Sequence, residues 1–109
     1  MTVYVVAQLT FKDRSAYDRY QASFPAVFRQ HVGQALIADE DPTVREGRWD
    51  ADKLVVLAFP DEEAAISFLE SPAYREIEKD RKAGADAVVL LAKGVEGPPR
   101  STKPNSLRE

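Results

Sequence analysis

Lys53-Leu54-Val55-Val56-Leu57-Ala58-Phe59-Pro60 is the stretch that decides the fold. Six consecutive apolar residues, β-branched in the middle and stopped by proline, make a strand apolar on both faces. Asp50, Ala51 and Asp52 form the turn before it, and Thr43 to Trp49 is expected to pair back as a short continuation. Upstream, Gln34 to Asp39 reads as another strand, ended by the turn signal Asp41-Pro42. Downstream, Asp61-Glu62-Glu63 places negative charge at the start of a helix whose apolar face is Ala64, Ala65, Phe68 and Leu69. Ser71-Pro72 restarts the helix as N-cap and first helical residue. Tyr74, Ile77, Glu78 and Arg81 share its next face, Gly84 closes it, and Asp86 to Ala92 is the last strand.

The N-terminal third has the same grammar. In Thr2 to Leu9, Val3, Val5, Ala7 and Leu9 fall on one face and Tyr4, Val6 and Gln8 on the other. Asp13 is placed to cap a helix whose stripe is Tyr17, Tyr20, Phe24, Val27, Phe28 and His31. Pro25 is expected to kink or divide that helix, and Gly33 to end it. After Gly94 the chain turns to glycine, proline and serine. A domain over residues 1–95 and a flexible C-terminal tail over 96–109 follow from that change. In the tail, Arg100, Lys103 and Arg108 outnumber the terminal Glu109.

Strand, helix, strand, strand, helix, strand is the βαββαβ order. It predicts an α+β, ferredoxin-like fold: a four-stranded antiparallel sheet with its helices on one face. The other face is then bare, and Val6, Leu57 and Val88 are read as apolar residues beyond what one helical layer covers. Such a surface predicts a twofold homodimer packed sheet on sheet, a dimeric α+β barrel.

Composition bounds the function. The 109 residues are 44% hydrophobic, 30% charged and 9% aromatic, a globular profile. With no cysteine, a disulfide scaffold, a thiolate metal site and a cysteine nucleophile are excluded. One histidine excludes a site needing two, and no metal site is expected. The formal net charge of −3 offers nothing to nucleic acid or anionic lipid. No signal-peptide pattern and no membrane-length apolar run are present, so the expected setting is the cytoplasm. No serine has a nucleophile-elbow context and no glycine-rich loop suits phosphate. Asp39, Glu40 and Asp41 read as a solvated turn.

The same segments resemble a known family. The residues that carry the likeness are Glu46-Gly47-Arg48-Trp49, Leu54 to Pro60, Ala64-Ala65 and Phe68-Leu69-Glu70-Ser71-Pro72-Ala73-Tyr74. Tyr4 to Ala7, Tyr17, Tyr20, Pro25 and His31-Val32-Gly33 add to it. Over Met1 to about Val95 the chain resembles the domain-of-unknown-function family 1330 (DUF 1330), similar in fold to the dimeric α+β barrel proteins. It departs at Val32, where a second glycine is usual, and at Leu69, often a tyrosine. The resemblance implies the dimer. It also points toward cofactor-free enzymes acting on small carbonyl or aromatic metabolites, by oxygenation, isomerisation or lyase chemistry, and no cofactor is expected.

Two functional readings result. In one, a pocket between helices and sheet takes a small-molecule ligand. His31 would then be the catalytic acid–base residue, being the one side chain that titrates near neutrality unaided. Tyr17, Tyr20 and Tyr74 would line the pocket with phenols, Trp49 would wall it, and Arg48 or Arg45 would hold an anion. In the other, the chain is a non-catalytic binding or protein-interaction dimer and Phe24, Phe28, Phe59 and Phe68 fill the space. Each candidate has a structural alternative: His31 as a helix-end cap, Trp49 as cover for a sheet edge or dimer seam, the tyrosines as core. Arg81, also inward, needs Glu46, Glu78 or an anionic ligand as its partner.

Overall fold

A computed structural model describes residues 1–95. The tail expected at 96–109 lies outside the described residues.

Four strands form one antiparallel sheet: β1 Val3–Phe11, β2 Gln34–Asp39, β3 Lys53–Phe59 and β4 Ala85–Lys93, in the order β2-β3-β1-β4. Three helices connect them: α1 Arg14–Phe28, α2 Glu62–Leu69 and α3 Pro72–Gly84. Each helix starts at the residue whose side chain can replace a missing backbone acceptor. Asp13 accepts from the amides of Ser15 and Ala16, Asp61 from Ala64 and Ser71 from Tyr74. Pro72 opens α3, where its absent N–H costs nothing.

The register decides which side chains face the helices. Val5 stands opposite Leu57 and Leu91, Ala7 opposite Val55 and Val89, and Leu9 opposite Lys53 and Ala87. On this face Val3, Val5, Leu9, Leu57 and Phe59 pack under the helices and form the core with Tyr17, Tyr20, Phe68 and Tyr74, while Val89 and Leu91 on the edge strand β4 stay exposed. The alternate residues Tyr4, Val6, Gln8, Leu54, Val56, Ala58, Val88, Leu90 and Ala92 form the uncovered face. Val88 is 56% exposed there and Leu90 53%. Leu57 is therefore not on the uncovered face: its parity with Val5 turns it to the helices, where it is buried.

Three local expectations are corrected. Helix α1 runs through Pro25 undivided, because Phe24 stacks on Phe28 and meets Phe68 edge-on. Those contacts outlast the one hydrogen bond that proline cannot give. It ends at Phe28, so Gly33 does not cap it; a Cβ at Gly33 would lie 2.6 Å from a carbon of the Phe59 ring, which is why glycine suits that position. Residues 43–49 form no strand, and β3 pairs with β2 across an irregularity between Ala35 and Ile37. Among the described residues, no helix is long and apolar enough to cross a membrane.

Candidate functional site: a cavity between helices and sheet

The four phenylalanines do not fill the space under the helices evenly. Phe28, Phe59 and Phe68 pack against one another with ring centroids 5.3–6.1 Å apart, at the end of the sheet where Phe59 pairs with Val3. Toward the other end, where Lys53 pairs with Leu9, a cavity of about 260 Å³ is left. Its floor is Val5, Ala7, Leu9, Val55 and Leu57 of the sheet. Its roof is Tyr17, Tyr20, Gln21, Phe24 and Pro25 of α1, Phe68 and Leu69 of α2, and Tyr74 and Arg81 of α3. Lys53 lines it as well.

The roof stands where it does because α1 packs on α3. Gly84 allows that approach: a Cβ there would run into the backbone nitrogen of Tyr17 and lie 2.8 Å from its Cα. The Gly84 carbonyl accepts from the amides of Lys12 and Asp13, tying the start of α1 to the end of α3.

Polar groups are few and converge. The hydroxyls of Tyr20 and Tyr74 are hydrogen-bonded at 3.0 Å. Burial raises the pKa of Tyr20, and Tyr74 adds to the effect. Burial likewise pushes Tyr17 up to about 12, with the negative Glu40 as a further cause. Lys53 is 5% exposed; its Nζ donates to Gln21 Oε1 at 2.6 Å and lies 5.0 Å over the Tyr17 ring. Desolvation lowers its pKa, partly opposed by Glu40 at 3.8 Å. Glu40 itself is held by both terminal nitrogens of Arg14, at 3.1 and 3.0 Å.

Of the sequence candidates, the structure brings Tyr17, Tyr20 and Tyr74 together and leaves His31, Arg45, Arg48 and Trp49 out. His31 follows α1, in the turn where its amide donates to the Phe28 carbonyl. Its ring sits edge-on to Phe68, 5.2 Å between centroids, and is not part of the cavity lining. Arg48 and Trp49 lie in a separate polar groove with Gln8, Thr10 and Asp86 on the uncovered side of the sheet, and Arg48 is bonded to Asp50 at 3.0 Å. The β2–β3 loop carrying them reaches the helical side through Glu40 at its start, bonded to Arg14 of α1, and places Arg48 and Trp49 on the opposite side. Sequence reasoning missed Lys53. Its signal was parity: Lys53 shares a face with Val55, Leu57 and Phe59, an anomalous place for a charge. Among the described residues, no group of three or more histidine, cysteine, aspartate or glutamate side chains is gathered as a metal site requires.

A family model described as "Domain of unknown function (DUF1330)" matches residues 2–95. The chain belongs to the DUF1330 family. Solved structures add the fold alone. A protein of unknown function from Rhodopseudomonas palustris is 19% identical, with a TM-score of 0.71 over 88% of this DUF1330 chain and 84% of that one. A dimeric ferredoxin-like protein of unknown function from Jannaschia sp. is 13% identical, with a TM-score of 0.62 over 86% and 100% of the two chains. SnoaB, a cofactor-independent oxygenase from Streptomyces nogalater, is 17% identical, with a TM-score of 0.61 over 91% and 98%. No curated protein matches the chain.

Proposed function

We propose that this DUF1330 protein is a homodimer that binds a small, largely apolar organic molecule in the helix–sheet cavity and transforms it without a cofactor. The observation that carries the proposal is the cavity itself: apolar walls with a few convergent polar groups, the usual make-up of a small-molecule site. Tyr20 and Tyr74 would orient a carbonyl or phenol, and the Lys53 ammonium would polarise it. Similarity in fold to a cofactor-independent oxygenase supports the chemistry by analogy. The dimer is supported by the apolar uncovered face and by neighbours described as dimeric.

One observation favours binding without turnover: the single histidine lies outside the cavity lining. Both readings require a ligand, so ligand binding is tested first. Thermal melts with a panel of aromatic acids, phenols and ketones should give a concentration-dependent rise in Tm, since a ligand at 100 times its Kd stabilises by about 2.7 kcal/mol. Absence of any shift across the panel would overturn the proposal. Consumption of a binding compound in air without added cofactor would then select the enzymatic reading.

A further inference from the structure

Among the described residues, the two buried charged side chains are both cations, and both line this one cavity: Arg81 at 8% exposure and Lys53 at 5%. Each has one acidic neighbour, at a long salt-bridge distance: 3.4 Å for Arg81 and 3.8 Å for Lys53. Arg81 carries a guanidinium, a cation with a planar fork of donors and no acceptor. Its nearest acidic contact is Glu78 Oε2, 3.4 Å from a terminal guanidinium nitrogen and one turn back on the same helix. Its buried Nε has no hydrogen-bond partner. Glu46, the other acid the sequence offered, sits exposed in the β2–β3 loop. Lys53 donates to a neutral amide, and the carboxylate 3.8 Å away is already clamped by Arg14.

A buried cation held by one long ionic contact recovers little of its desolvation, and the unmet Nε donor of Arg81 adds to the cost. On β3 the other positions of the face that Lys53 shares are apolar: Val55, Leu57 and Phe59. The lining also holds neutral polar groups: the Tyr17 hydroxyl, the Gln21 amide and the Tyr20–Tyr74 pair, in which one hydroxyl donates to the other and the second keeps its hydrogen for an oxyanion. We infer that the cavity is built for an organic anion: a small monocarboxylate whose carboxylate meets Arg81 and Lys53 while its apolar body lies against Leu57, Phe68 and Leu69. This rests on the cavity being a ligand site and adds the charge of what it takes.

The test pairs each carboxylate with its neutral isostere: benzoate with benzamide, and phenylacetate with phenylacetamide, titrated into the wild-type protein at pH 7. The expected result is a preference for the acids of roughly tenfold or more in Kd, the usual worth of a charge-assisted contact. In Arg81→Gln and Lys53→Met, acid affinity should fall toward that of the amide while amide affinity stays within about twofold. The wild-type comparison stands even where a variant fails to fold. Acids and amides binding equally would overturn the inference and leave the cavity reading intact. Binding by neither series would overturn both.

Discussion

Tyr17 is held between two buried cations and an acid, and its ionisation should be visible in the stability of the protein. Its folded pKa of about 12 exceeds the ordinary value of 10. Between those values the folded state keeps a proton that the unfolded chain has lost. The corresponding stability is full below pH 10 and drains away as pH rises toward 12; Tyr20, also raised, adds to the same fall. Lys53 acts in the opposite sense. Its folded pKa lies below 10.5, so stability gains as pH climbs toward 10.5 and the unfolded chain alone still holds the proton. Urea midpoints against pH should rise and then fall, turning near pH 10. Lys53→Met should remove the rising limb and keep the falling one; a falling limb absent from both proteins would contradict the burial assigned to the tyrosines. At neutral pH, Tyr20→Phe should cost about 1–3 kcal/mol in chemical denaturation, because it strands the buried Tyr74 hydroxyl. A loss under half a kcal/mol would mean that a solvent path satisfies Tyr74.

The elements show how far pattern alone could go. Periodicity and caps located every strand and helix, because Asp13, Asp61 and Ser71 are local signals that act within one turn. The errors arose where tertiary contact overrode a local rule. Pro25 reads as a break, yet aromatic stacking carries α1 across it. Gly33 reads as a helix cap, yet its reason is the Phe59 ring. In the site, the tyrosine stripe was legible because a helix repeats every 3.6 residues. The absence of His31 from the lining was not, because it depends on which end of the cavity the phenylalanines occupy. Lys53 was hidden by its position at a strand start, where charge is ordinarily solvated. The junction of α1 and α3 gives the sharpest test at this scale. Gly84→Ala should cost about 1–3 kcal/mol, since the methyl meets the backbone of Tyr17 and backbone cannot rotate away. An unchanged Tm would mean that the helices separate freely and that the cavity roof is not fixed.

The whole molecule presents one face of its sheet to the helices and leaves the other bare, with Val6 opposite Leu90 and Gln8 opposite Val88. If two such faces close on each other, sedimentation at micromolar concentration should report twice the chain mass. Val6→Asp, a charge on the inner strand β1 of that face, should halve it. A wild-type monomer under those conditions would remove the sheet-on-sheet assembly. Inside, the four tyrosines are placed to report where a ligand lies. Tyr17, Tyr20 and Tyr74 line the cavity, whereas Tyr4 stands on the uncovered face, opposite Ala58 and Ala92. Protein labelled at the tyrosine rings, titrated with benzoate and followed by NMR, should show the three cavity resonances moving together and saturating while Tyr4 stays still. A saturating shift at Tyr4 with the other three unmoved would place the ligand on the wrong side of the sheet and contradict the cavity as the site.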